Sequence, residues 1–139
     1  MTRIQAAELL IHNPIAFGHA VGFNKLDALH NVWIQDMVRG NEDKTLQAHR
    51  GSYKTTCVSI ALAEIVLLPN LKTLFMRKTD ADVKEVVRQV RNLLLSPYME
   101  ALCEKIHGKP LILTTVSATE ISTNLAADNK GTSQLVACG

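Results

Sequence analysis

The sequence predicts an α/β fold of three layers, helix, sheet and helix, around a mainly parallel sheet, with a helical segment ahead of it. Three observations lead there. Short apolar runs of strand length alternate with helical patterns through residues 44–139. A polar turn joins the first of those runs to a long apolar helix. The first forty or so residues carry helical patterning alone. The expected division is therefore a helical segment over 1–43 and an α/β core over 44–139.

The chain has 139 residues, 47% of them hydrophobic, which is the size and apolar content of one ordinary core. Fifteen Lys and Arg against thirteen Asp and Glu give a net charge of +2, a balance that neither demands nor forbids a nucleic-acid partner. Cys57, Cys103 and Cys138 are odd in number and never paired as C-x-x-C, which argues against a disulfide framework and a zinc knuckle and fits a reducing, cytoplasmic setting. His12, His19, His30, His49 and His107 show no metal-ligand spacing. No apolar run reaches the ~20 residues that span a bilayer, and no export signal precedes the first helix.

Thr2 is placed to cap a first helix with Ile4, Ala7, Leu10 and Ile11 at helical spacing, ending near Asn13 and Pro14. A loop containing Gly18 and Gly22 is expected next. Leu26, Leu29, Val32, Trp33 and Met37 then form a helical stripe between Lys25 and Val38, with Gly40 as its C-terminal cap. A short extended run over Lys44 to Ala48 precedes a polar stretch. After it, Val58 to Leu68 is too long for a typical strand and rich in helix formers, so it reads as a buried helix stopped by Pro69.

Leu71 to Met76 has strand length. Thr79 heads a helix whose Val83, Val86, Val87, Val90 and Leu94 share one face. Lys84, Arg88 and Arg91 fall at helical spacing on the remainder, interleaved by Glu85, as a solvated face or one turned toward phosphates. Ser96 and Pro97 open another helix that Gly108 ends. Leu111 to Val116, Glu120 to Leu125 and Gln134 to Cys138 read as strands, with Asp128-Asn129-Lys130-Gly131 as a hairpin turn.

The chemistry concentrates in the polar stretch. A phosphate-binding loop of the form G-x-x-x-x-G-K-[ST] directs backbone amides at phosphates, neutralises them with its Lys and ligates magnesium through its hydroxyl. Lys54 and Thr55 fill the last two positions, while Ala48 and Tyr53 stand where the glycines belong. The loop's position between a strand-like run and a long helix is the arrangement that sets a phosphate at a helix N-terminus. A polar turn that merely caps a buried helix accounts for the same residues.

The nine residues from Ala48 to Thr56, reading Ala48-His49-Arg50-Gly51-Ser52-Tyr53-Lys54-Thr55-Thr56, resemble the variant Walker A loop of phage terminase large subunits. That loop typically runs arginine, glycine, serine, a small residue, lysine and a hydroxyl residue. Leu29 to Ile34 is similar to the family's segment ahead of the loop, on the adenine side of its pocket. Leu74 to Lys78 is similar to its second strand, and Ile121 to Leu125 with Gly131 to Gly139 to its strand pair before the Walker B region. The likeness extends over nearly the whole chain, with only the loop specific.

The resemblance implies the N-terminal, incomplete part of a P-loop NTPase core that binds ATP and Mg2+. In the family that core couples ATP hydrolysis to the translocation of double-stranded DNA into the capsid, with the portal and the small terminase subunit as partners and self-association into an oligomer. It operates in the cytoplasm of the bacterial host. Within it Lys54 would hold the β- and γ-phosphates and Thr55 the magnesium. Arg50 would contact phosphate or stabilise transition-state charge. His49, Gly51, Ser52, Tyr53 and Thr56 would complete the cradle, and Trp33, with His30 one turn away, would either border the adenine or pack in the core.

Two departures matter. Tyr53 carries a side chain where glycine permits close approach and unusual torsions, so its ring must turn outward. No apolar strand is followed by the Asp or Glu of a Walker B motif, since Leu62-Ala63-Glu64 reads as helix and Leu125-Ala126-Ala127-Asp128 runs into a turn. The chain therefore reads as ending before that acid. The alternative is a nucleotide-binding module without hydrolysis, or an inactive prophage remnant.

Overall fold

The computed structural model describes residues 2–39, 53–68, 71–126 and 133–139. Helix α1 (Arg3–His12) starts as its sequence predicts, in a capping box: Thr2 Oγ1 accepts the Gln5 N–H at 3.1 Å and Gln5 Oε1 accepts the Thr2 N–H at 2.9 Å. Ala6 and Leu10 face the core while Ile4, expected there, is 73% exposed.

Helix α2 (Ile15–Ala20) stands where a loop was expected. Gly18 signals close packing rather than a turn, since a Cβ there would lie 2.5 Å from Leu26 Cδ1 and 2.9 Å from Ile60 Cδ1. In α3 (Ala28–Arg39) the inward face is His30 and Ile34, with Trp33, Met37 and Val38 partly buried. Leu29 and Val32, assigned to that stripe from hydrophobicity, are exposed. The reason is tertiary: Asn31 and Gln35 are directed at α1. The Asn31 amide donates to His12 O at 3.1 Å and accepts the Ile15 N–H at 3.1 Å, and Gln35 Nε2 donates to Ile11 O and His12 O. The end of α1 and the start of α2 thereby gain partners for their orphan backbone groups.

Helix α4 (Lys54–Val66) begins four residues before the apolar run that announced it and packs between α3 and α5 (Asp80–Leu94). Cys57, Ser59, Ile60, Ala61, Leu62, Ala63, Glu64 and Val66 are all buried, so the helix is enclosed on every side. Pro69 lies outside the described residues. Helix α5 buries Val83, Val86, Val87, Val90 and Leu94 as expected, behind a Thr79 side chain that accepts the Asp82 N–H. Helix α6 (Pro97–His107) has Ser96 as cap, Pro97 in its first turn, and Gly108 at φ 70° as its left-handed terminator.

The strands β1 (Thr73–Met76), β2 (Leu113–Val116), β3 (Glu120–Thr123) and β4 (Leu135–Cys138) form one sheet in the order β1-β4-β3-β2. The expected mainly parallel sheet is corrected here: β1 and β4 are parallel, whereas β2–β3 and β3–β4 are antiparallel. The connections explain it. Residues 117–119 join β2 to β3, and residues 124–134 join β3 to β4, which is too short for an ordinary helical crossover. The hairpin pairing of β3 with β4 agrees with the sequence; its turn, residues 128–131, lies outside the described residues, as do Gly40 and the strand expected over 44–48.

The expected three layers are corrected as well. Phe75, Leu135, Ala137, Ile121 and Thr123 form the covered face, against which α5 packs. On the opposite face Leu74 and Met76 are 62% and 66% exposed, so the described helices cover one side of the sheet.

A buried glutamine locks these parts together. Gln134 Oε1 accepts from the Thr123 N–H at 2.8 Å and the Thr123 hydroxyl at 2.7 Å, Gln134 Nε2 donates to Val66 O at 2.9 Å, and Gln134 O accepts the Thr73 N–H at 2.7 Å. One residue thus ties β1, β3 and β4 to the end of α4. His107 Nε2 donates to the next carbonyl, Leu67 O, at 2.8 Å. Replacing Gln134 with Ala strands the Thr123 amide and the Val66 carbonyl in the core. Urea unfolding of the variant is expected to show a loss of about 3 kcal/mol at an unchanged slope.

Glu64 has no such partners. It is 1% exposed, neither carboxyl oxygen has a hydrogen-bond partner among the described residues, and burial pushes its pKa up from 4.5 to about 9. The folded chain holds the neutral acid, whereas the unfolded chain releases the proton above about pH 4.5. The contribution of Glu64 to stability is therefore fullest below pH 4.5 and declines as pH rises toward 9, by up to about 1.4 kcal/mol per pH unit. Glu64→Met is expected to flatten that slope and to raise the unfolding midpoint at pH 8. A variant whose midpoint still falls with pH as steeply as the parent's contradicts the assignment.

Candidate phosphate-binding site at the start of helix α4

The first turn of α4 is built differently from those of α1, α5 and α6, and shares its lack of a side-chain cap with the short α2. Where Thr2, Thr79 and Ser96 supply side-chain oxygens to their helices, α4 has no side-chain cap, and its first turn contains no acidic residue. Among the described residues its leading amides have no acceptor, and the positive end of its dipole, equivalent to roughly half a unit charge, favours negative charge there.

Tyr53, immediately before it, has φ 63° and ψ 24°, and among the described residues it alone combines a side chain with positive φ. Holding an L-residue in that region costs about 1–2 kcal/mol. This is the position at which the phosphate-loop pattern calls for its second glycine, so the backbone adopts the torsion without the residue that favours it.

The tyrosine ring lies against α3 rather than standing alone. Its centroid is 6.0 Å from that of His30 at 78°, and His30 in turn meets Trp33 edge-on at 5.1 Å and 80°. The His30 ring is held from below, since Nδ1 accepts the Asp27 N–H at 2.9 Å while Asp27 Oδ1 accepts the Leu29 N–H at 2.9 Å. Trp33, His30 and Tyr53 therefore form a series of rings beside the helix start. Trp33 also packs against the core, which is one of the two roles expected of it.

Lys54 and Thr55 are exposed in the first turn and Thr56 is half-buried. Just behind them, the Ser59 hydroxyl donates toward Gln89 Oε1 at 2.6 Å and lies 3.1 Å from Thr55 O, which fastens the turn to α5. Cys57 is no nucleophile here: burial first, and the nearby Asp27 charge second, push its thiol up to about 11. His49, Arg50, Gly51 and Ser52 lie outside the described residues. Among the described residues no three His, Cys, Asp or Glu side chains gather as a metal site.

The sequence singled out Lys54, Thr55 and the His30–Trp33 pair but not the contact that links that pair to Tyr53. The available signal was Tyr53 itself, an aromatic residue directly before a helix with nothing to cap it. Comparison with family models, with curated proteins and with solved structures found no match to this chain. No helix among the described residues is long and apolar enough to cross a membrane.

The strain at residue 53 is testable apart from any ligand. Tyr53→Gly and Tyr53→Ala both remove the ring, and only glycine relaxes the torsion. Thermal unfolding is expected to place the glycine variant above the alanine variant by about 1 kcal/mol. Equal midpoints would contradict the left-handed backbone.

Proposed function

We propose that this chain binds the phosphates of ATP, with Mg2+, at the start of α4, as the ATP-binding portion of a DNA-packaging motor similar to the terminase large subunit. The observation that carries the reading is the left-handed residue 53 leading into an uncapped, deeply seated helix whose first two residues are an exposed lysine and an exposed threonine. Lys54 supplies a point charge for the terminal phosphates. Thr55 supplies a hydroxyl oxygen to a magnesium ion, which would neutralise charge between phosphates. The Tyr53, His30 and Trp33 rings offer an aromatic edge to the base. Translocation of double-stranded DNA, and the portal and small-subunit partners, follow from the family likeness of the loop and its surroundings.

A second reading, a nucleotide-binding module that does not hydrolyse, is favoured by a specific observation. The residues that follow the four described strands are Arg77, Ser117, Asn124 and Gly139, none of which can hold magnesium and position water as a Walker B acid does. The two readings separate on turnover: the motor hydrolyses ATP, and the module only binds it.

Binding of a fluorescent ATP analogue in the presence of magnesium tests the shared claim. Lys54→Ala is expected to weaken binding at least tenfold, and Thr55→Ala to reduce its dependence on magnesium. Both should leave the circular dichroism spectrum unchanged, because both side chains are exposed. A folded parent that binds no nucleotide, or a Lys54→Ala variant that binds as well as the parent, overturns the proposal.

A further inference from the structure

A second basic site lies on the far side of α5. Lys84, Arg88 and Arg91, at spacings of four and three, flank the buried valine stripe of α5 and line a cleft of about 380 Å³. The opposite wall is the turn between β2 and β3, contributed by Ser117 and Ala118, and Val87 forms a buried part of the floor. That volume lies within the range of small-molecule sites.

Three features make the cleft suited to an anion. Its three cations share the cleft with one carboxylate, Glu85, and among the described residues no side chain of Lys84, Arg88 or Arg91 makes an ion pair or hydrogen bond. The turn is held rigid from within, because the Ser117 N–H donates to Glu120 O at 3.0 Å and Ser117 Oγ accepts the Thr119 and Glu120 N–H groups. That arrangement leaves the N–H of Ala118, a residue of the cleft wall, without an acceptor among the described residues. The short side chains of Ser117 and Ala118 leave the backbone open to approach. Guanidinium groups offer paired donors that match phosphate oxygens, and a fixed amide adds direction to their charge.

We infer that this cleft binds phosphate groups, with Lys84, Arg88 and Arg91 as its cations and the Ala118 amide as its fixed donor. It is separate from the start of α4 and does not rest on nucleotide binding there. The phosphate can come from a small phosphorylated molecule or from a nucleic-acid backbone, since both present the same oxygens.

The test is an amide-resolved NMR titration of the whole chain with pyrophosphate, against sodium chloride at matched ionic strength. The Ala118 amide and the α5 amides from Lys84 to Arg91 are expected to shift saturably with pyrophosphate and not with chloride. Lys84→Gln/Arg88→Gln should weaken that response at least tenfold, while Lys25→Gln/Lys105→Gln, which removes the same charge from exposed positions outside the cleft, should leave it intact. A short DNA duplex at equal phosphate concentration distinguishes the sources. Tighter saturation of the Ala118 signal by the duplex assigns a nucleic-acid backbone; equal or tighter saturation by pyrophosphate assigns a small phosphorylated ligand. The inference is overturned if the Ala118 signal does not saturate, or if the two double variants lose the response alike. Because the readout is local to the cleft, it does not depend on any response at Lys54.

Discussion

Beyond its first turn helix α4 is largely apolar and buried, and its burial is the constraint around which the described parts are arranged. Ile60, Leu62 and Val66 would each forfeit about 1.5–3 kcal/mol if left in water, so the helix needs neighbours all round. Helix α3 covers it on one side and α5 on another, and Gly18 of α2 comes close enough to Ile60 to exclude a methyl group. A helix enclosed in this way must also dispose of the carbonyls at its end. Gln134 and His107 accept that task for Val66 and Leu67, which couples the sheet and α6 to the central helix. Its other end remains uncapped, and that is where the exposed lysine and threonine stand.

Much of this was legible from local pattern. The caps at Thr2, Thr79, Ser96 and Gly108 are decided by residues within one turn, so the sequence showed them. The α5 stripe was legible too, because five apolar residues at helical spacing leave no other inward face. What was not legible is long-range. Nothing local distinguishes Asn31 and Gln35, which serve α1, or Gln134, which reaches across 68 positions to Val66, from ordinary surface amides. For the same reason hydrophobicity alone put Leu29 and Val32 on the wrong face of α3. The sheet was misjudged differently: the apolar runs were located well, but the connections of three and eight residues between them already favoured antiparallel neighbours over a parallel sheet.

The candidate site divides along the same line. Lys54 and Thr55 stood out in the sequence because their residue type and spacing match a phosphate loop, whereas the place of Tyr53 depends on a torsion and on a partner in another helix. Its ring, anchored on His30, reconciles a bulky side chain with a backbone conformation that glycine would adopt more cheaply. The site thus joins a strained residue, an uncapped helix and an aromatic edge, each of which has an ordinary structural explanation alone. Taken together at one helix start, they are what a bound phosphate and its base would use.

Hydrogen exchange along α4, with and without Mg-ATP, tests this account most directly. The amides from Ile60 to Val66 should exchange only through global unfolding, because they lie in the fully enclosed part of the helix. The amides of Lys54, Thr55 and Thr56 should exchange quickly in the free chain and slow markedly when Mg-ATP is added. Slow exchange of the interior with no protection of the first turn by nucleotide would leave α4 as the organising helix and contradict the claim that its start is a phosphate site.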